Sequence, residues 1–421
     1  MSDPATNENL RAGRGVRGDF GKDQGVGMKK GWETKKLGEV LEKTETVNPL
    51  LSPNAEFDYI DVSSVSNTTF QIEETQRLKG KDAPSRARKL VRTNDIIFAT
   101  IRPTLQRIAV VPEHLDRQVC STGYFVLRPK QGIDHRFVFY SLFTENFIGQ
   151  MESLQKGASY PAVTDGDVRA QEIPVPPLAE QQRIVGLLDE AFEGLATAKA
   201  NAEKNLQNAR AIFESHLQSV LRNKKWKWKT LGDLCDDVEY GSSSKSKKEG
   251  KVPVLRMGNI QDGKLDWENL VYTDDKDETK KYLLKHNDVL FNRTNSPELV
   301  GKTAIYRGEM PAIFAGYLIR IHRKEELLDA DFLSYFLNSQ IAFDYGKTVV
   351  ISSVNQANIN GTKLKSYPIP APSLSEQKTI VAKLDALSEE TQRLASLYEQ
   401  KLAALEALKK SLLHQAFTGE L

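Results

Sequence analysis

The chain has 421 residues and 39% hydrophobic content, enough for two or three domains of ~100–200 residues with sizeable cores. Its 58 basic and 56 acidic residues exclude a histone-like binder, so any affinity for nucleic acid must come from local patches or partners. Only two cysteines, Cys120 and Cys235, stand far apart, which excludes a disulfide framework and a thiolate metal cage, and no apolar run approaches the ~18–20 residues of a membrane span.

Residues 1–28 are rich in Gly and Arg and poor in large apolar side chains, so a disordered extension is expected, with Met28 a candidate native start. A mixed domain follows over 29–177. Short β-rich runs lie at Asp95–Thr100, Ile108–Val111 and Tyr124–Leu127, then a helix at Arg136–Thr144 and a Pro-punctuated strand at Ile173–Pro177. A long helix occupies 178–223, strongest from Leu178 to Leu221. A second mixed domain spans 224–373 and ends in the strand Tyr367–Pro372. A second long helix fills 374–421, strongest from Leu374 to Phe417, with Ser375 expected at its N-cap. Without a secretory signal or membrane span, a cytoplasmic protein is expected.

This order is a repeat. Leu37-Gly38 returns as Leu231-Gly232, 194 positions on. Asn94-Asp95-Ile96-Ile97-Phe98 returns as Asn287-Asp288-Val289-Leu290-Phe291 and Gly123-Tyr124 as Gly316-Tyr317, both 193 on. Ile173–Gln181 returns as Ile369–Gln377, 196 on. A near-constant offset means two homologous halves with small loop insertions. The expected class is α+β: two homologous mixed α/β domains separated by two long antiparallel coiled-coil helices, in a pseudo-twofold repeat.

Each long helix would extend about 65 Å at 1.5 Å per residue. The first carries Ile184, Leu188, Ala191, Leu195, Ala198, Ala202, Leu206 and Ala209 at steps of three and four. The second carries Ile380, Leu384, Leu387, Leu394, Tyr398, Leu402, Leu405, Leu408 and Leu412. So narrow a stripe is a coiled-coil seam. Ile184, Leu188, Leu195, Leu206, Ile380, Leu384, Leu394 and Leu402 are the residues expected to hold the seam and support subunit docking.

No catalytic constellation emerges, and no metal site is expected. The six histidines are scattered without i,i+4 pairing. Ser296–Thr303 approaches a phosphate-binding loop, but Ser296 stands where the first glycine belongs. Asn295-Ser296-Pro297-Glu298 lacks the second proline and the aromatic of an adenine-methyltransferase turn.

Signals for nucleic acid are better. Residues 77–92 carry Arg77, Lys79, Lys81, Arg86, Arg88, Lys89 and Arg92 against one acid, Asp82, as a stretch tracking phosphates would. Lys245 leads a weaker equivalent in the second half. Loops after the Asn-Asp strands offer Arg102 and Arg107 in one half and Arg293, Asn295 and Lys302 in the other. Arg forks suit guanine and Asn suits adenine, and both can also reach phosphate. Ser159 and Tyr160 align with Asn355 and Gln356 in a third candidate contact region before the proline strand. For any single residue, ordinary turn chemistry or a solvated loop is the competing explanation.

From about Lys29 onward the sequence resembles the type I restriction–modification specificity subunit family. The resemblance rests on Pro174–Val185 with its copy Pro370–Val381, on Asn287–Thr294 with Gly301-Lys302-Thr303, and on the ending His414–Leu421. It implies two target-recognition domains, each reading half of a split, asymmetric site in double-stranded DNA. It further implies helices that dock two methyltransferase subunits and, through them, restriction subunits. On that resemblance the chain is non-catalytic and holds no cofactor, while S-adenosylmethionine, ATP and magnesium belong to its partners. The competing expectation is a coiled-coil scaffold whose mixed domains bind protein.

Overall fold

The computed structural model describes residues 29, 31–353 and 356–421. The extension expected at 1–28 and the candidate contact Asn355 lie outside the described residues. The chain divides into two compact units, one running to Lys199 and including Ala403–Leu421, the other Ala200–Leu402. Each unit is a mixed domain with its share of both long helices.

In the first unit the strand Ile96–Ala99 pairs antiparallel with Ile108–Val110 and Tyr124–Leu127. Alternation sends Ile96 and Phe98 into a core with Leu37, Phe125 and Val138. It sends Ile97 and Ala99 into another with Ile60 and Tyr124. A strand covered on both faces can be apolar at every position, hence the unbroken run. A four-stranded sheet runs in the order Gln76–Lys79, Glu56–Ile60, Val119–Ser121, Ala87–Leu90, its middle pair parallel. The ribbon of Glu33–Lys36 with Glu172–Val175 joins the two ends of the domain.

The second unit repeats the plan. Val289–Asn292 pairs antiparallel with Thr303–Ile305 and Leu318–Arg323. Val289 and Phe291 pack with Leu231 and Phe336, while Leu290 packs with Val254 and Phe314. The parallel pair recurs as Val252–Leu255 with Ile313–Phe314, and the closing ribbon as Trp228–Thr230 with Pro368–Pro370.

The shared Asn-Asp motif is a turn and an anchor. Asn94 and Asn287 sit at φ +68° and +70°, a left-handed conformation that asparagine tolerates better than most residues. Asp95 accepts the backbone N–H of Arg92 at 2.8 Å, and Asp288 accepts that of Lys285 at 2.8 Å. Inside the fold, Asp95 receives two bonds from Arg128, at 2.9 and 2.8 Å, and Asp288 receives Arg320 at 3.0 Å.

The long helices run from Leu178 to Leu221 and from Leu374 to Thr418. In the first unit Lys199 pairs with Glu406 at 2.8 Å while Leu188 packs with Leu413, and in the second Arg210 pairs with Glu399 at 2.8 Å while Leu217 packs with Leu384, so within each unit the two helix segments run antiparallel. Their ends are anchored in domain cores. Ile184 and Leu188 pack with Trp32, Phe137, Tyr140 and Leu413 in the first unit, and Leu384 packs with Leu217, Leu221 and Leu231 in the second, where Ile380 lies half-buried against them. Between the ends the seam is thinner. Leu195, Leu206, Leu394 and Leu402 are half-buried, whereas small Ala202 and Ala209 are fully buried.

Three expectations are corrected. Ser373, not Ser375, caps the second helix: its N–H and hydroxyl reach Glu376 Oε2 at 2.9 and 2.8 Å, and Oγ accepts the Glu376 N–H at 3.4 Å. The helix therefore begins one residue after the cap, at Leu374. Leu408 is 48% exposed. Lys409 turns inward in its place, its ammonium 5.1 Å from the Phe70 ring centre and 5.5 Å from that of Phe192, and burial lowers its pKa. Arg136–Thr144 is not one helix. His135–Ser141 ends there, and Thr144 caps a second helix, Glu145–Leu154, through its hydroxyl.

Candidate nucleic-acid interface

In each domain one short network of backbone hydrogen bonds gathers the candidate loops. In the first, Thr122 N donates to Arg86 O at 2.8 Å, and Thr100 N to Gly123 O at 2.8 Å. Val163 N donates to Thr100 O at 2.9 Å, and Arg102 N to Pro161 O at 2.7 Å. Arg86, Arg102 and the Ser159–Tyr160 loop thus border one surface. The second domain has the matching bonds, Arg293 N to Tyr317 O at 3.0 Å and Ile359 N to Arg293 O at 2.9 Å.

Side chains on this common scaffold differ. Arg102 is exposed and its guanidinium carbon lies 5.2 Å from the ring centre of Tyr160. Arg107 instead faces the protein, donating through one nitrogen to the carbonyls of Val62, Ser63 and Val65 at 2.9–3.2 Å. That clamp holds the 62–65 turn and takes Arg107 away from the open contact expected of it. In the second domain Arg293 donates to Gly316 O and Asn358 Oδ1 at 3.3 and 3.2 Å and lies 4.9 Å from the ring centre of Tyr240. Asn295 Oδ1 accepts the Ser296 N–H at 2.9 Å. Lys302 is half-buried and donates to Gln261 Oε1 at 3.3 Å. Within Ser296–Thr303, the Gly301 N–H donates to Asn292 O at 2.8 Å and those of Leu299 and Val300 to Ser296 O at 3.0 Å.

The basic stretch is divided. Arg77 pairs with Asp58 at 3.0 Å, Lys89 with Asp165 at 2.8 Å, and Arg92 with Glu45. Arg88 is half-buried and donates to Ala87 O at 2.9 Å. Lys79, Lys81 and Arg86 are exposed, and none forms an ion pair among the described residues, which leaves them available to phosphates. Lys245, Ser159 and Gln356 are exposed as well. Tyr240 was not legible as a partner of Arg293, because the two lie 53 positions apart in sequence and nothing in either local pattern links them.

Burial pushes the Cys120 thiol up to about 12, and Cys235 is raised by burial too. Among the described residues no group of three or more His, Cys, Asp or Glu side chains could hold a metal ion. No helix among them is long and apolar enough to cross a membrane.

The model of the type I restriction modification DNA specificity domain matches residues 29–206 and again 223–406. The chain belongs to this family. It is 27% identical over 322 residues to the type I restriction enzyme StySPI specificity subunit of Salmonella potsdam, covering 72% of this chain and 69% of that one. The EcoKI specificity subunit of Escherichia coli K12 is 26% identical over the same shares. Among solved structures, a chain from a study of complex assembly and conformational transition of the type I R-M system superposes with a TM-score of 0.82. It is 28% identical and covers 94% of this chain and 100% of its own. The HsdS subunit from Thermoanaerobacter tengcongensis gives 0.66 at 29% identity, over 94% and 98%. Both copies of the specificity domain therefore carry the scaffold described above, with Arg102 and Tyr160 on one and Arg293, Asn295 and Tyr240 on the other.

Proposed function

We propose that the chain is the DNA specificity subunit of a type I restriction–modification complex and reads a bipartite, asymmetric site in double-stranded DNA, half with each domain. The observation that carries this reading is one backbone scaffold, built twice, presenting different polar side chains at corresponding loop positions. A pair of domains made to bind the same partner twice would keep those side chains alike. Lys79, Lys81, Arg86 and Lys245 would supply charge for phosphates and Arg102, Ser159, Asn295 and Gln356 would meet the bases, with Tyr160 positioning Arg102 and Arg293 bracing its loop through Gly316 O and Asn358.

The complex would contain two methyltransferase subunits, with restriction subunits joining them, in the cytoplasm. Catalysis, S-adenosylmethionine, ATP and magnesium belong to those partners, and this chain supplies address rather than chemistry. Co-expression with the methyltransferase subunits followed by methylome sequencing tests the reading. A split, asymmetric methylated motif that disappears when this chain is omitted supports it. Methylation without sequence preference contradicts it.

A further inference from the structure

Arg102 and Arg86 are the exposed arginines of this surface without an acceptor among the described residues, and Arg102 is the one stacked against an aromatic ring. Arg107 is clamped to carbonyls, Arg88 donates to Ala87 O, and Arg77 and Arg92 hold carboxylates. Arg102, by contrast, offers its whole donor fork to solvent, with no acceptor for it among the described residues, and unlike the equally open Arg86 it has a ring beside it to fix its plane. Its backbone is nevertheless fixed. It stands at φ +50°, its N–H is held by Pro161, and it caps a tight turn, Pro103–Leu105, that Gln106 closes at φ +52°. The facing Tyr160 is 71% exposed, so its ring and the Arg102 guanidinium are open to an incoming ligand. That ring sits in a small hairpin pinned by paired 2.9 Å bonds between Lys156 and Ala162.

From this geometry we infer that Arg102 reads a guanine in the half-site of the first domain, and that Tyr160 is the positioning residue that holds its guanidinium in plane. The inference rests on the DNA-reading function proposed above. A planar fork left open to solvent is shaped to take two adjacent acceptors, and guanine O6 and N7 in the major groove provide them. Stacking on an aromatic face restricts the fork to one plane before DNA arrives, so less freedom is lost on contact. The second domain supports a reading role at this position. Ile101 bridges Ala162 as Thr294 pairs with Asn358, so the residue matching Arg102 is Asn295. The same scaffold tolerates either side chain, as a position selected for contact rather than folding would.

Phosphate is the other acceptor with the same chemistry, and the test separates the two. The wild-type complex with its methyltransferase subunits is first assigned its motif by methylome sequencing. Duplexes carrying 7-deazaguanine at each guanine of the first domain's half-site are then titrated in a gel shift. One replacement should weaken binding roughly 5-fold to 150-fold, and the others should not. Arg102→Asn, which tolerates the left-handed backbone, should relax the methylated motif at that same base and leave the other half unchanged. Tyr160→Leu should relax it too, while Tyr160→Phe, which keeps the ring, should restore the wild-type motif. Uniform weakening by Arg102→Asn across all sequences, with an unchanged motif and a shallower salt dependence, places Arg102 on a phosphate and overturns the inference while leaving the DNA-reading function intact. A wild-type complex without any sequence preference overturns both.

Discussion

Gln181 accepts the backbone N–H of Asp134 at 2.8 Å, tying the start of the first long helix to the start of the helix His135–Ser141. Its amide also donates to Pro176 O at 2.8 Å, and the side chain is buried. Gln377 repeats both contacts, to Asp329 at 2.8 Å and Pro372 at 3.0 Å. A buried amide with the same two backbone partners in each domain explains why both halves carry a glutamine at this position after the proline strand.

Replacing Gln181 or Gln377 by Leu leaves a buried N–H and a carbonyl unpaired, so each should cost about 2–4 kcal/mol. Denaturant unfolding of each variant checks this. A loss under ~0.5 kcal/mol would mean the joint is not structural.

Asp95 sits buried beneath the Arg128 guanidinium. Asp95→Asn leaves Arg128 only Glu45, at 2.6 Å, as a carboxylate partner, so it should cost less than the ~3–5 kcal/mol of a fully uncompensated buried charge but more than ~1 kcal/mol, with circular dichroism melting as the readout. Because the motif is an anchor and lies away from the reading loops, any variant that still folds should keep the wild-type methylation motif.

Leu188 and Leu408 separate seam from surface. Leu188→Asp buries an unpaired charge among Ile184, Tyr140 and Leu413 and should cost at least ~3 kcal/mol. Leu408→Asp, on the exposed side, should change stability by less than ~0.5 kcal/mol. Unfolding midpoints of the two variants decide it.

Glu180 receives Arg183 at 2.7 Å and Lys29 at 3.2 Å, and Arg183 also reaches the backbone oxygen of Leu421 at 2.8 Å. The Arg183 hydrogen bond first, then Lys29, holds this carboxyl down at about 2, against an ordinary value of 4.5. A carboxyl depressed in the folded state adds stability above its unfolded pKa and loses it as pH falls toward the folded one. The contribution of Glu180 should therefore be complete above about pH 4.5 and vanish toward about pH 2. The pair is surface-borne and worth ~1 kcal/mol or less. Melting curves of wild type and Glu180→Gln should converge as the pH drops through that window.

The repeat made the architecture legible. A stripe of Leu and Ala at helical spacing is set by local chemistry, so both long helices could be bounded from Leu178 and Leu374. Ser373 against Ser375, and Leu408 against Lys409, were harder, because adjacent residues differ only by a rotation that tertiary packing fixes. The site was legible as regions rather than residues. Arg102 and Arg107 look alike in sequence, and only the carbonyls of the 62–65 turn, some 40 positions away, separate a free fork from a clamp. Arg77 and Lys79 differ in the same way, through Asp58 across a strand pair.

The central claim is that each domain reads its own half of the target. Residues 30–172, which contain Arg102 and Tyr160, can be replaced by the corresponding segment of a relative and the chimera co-expressed with the methyltransferase subunits. Methylome sequencing should then return a motif with one half altered and the other half, read by the domain of Arg293 and Asn295, unchanged. A motif changed in both halves, or in neither, would contradict it.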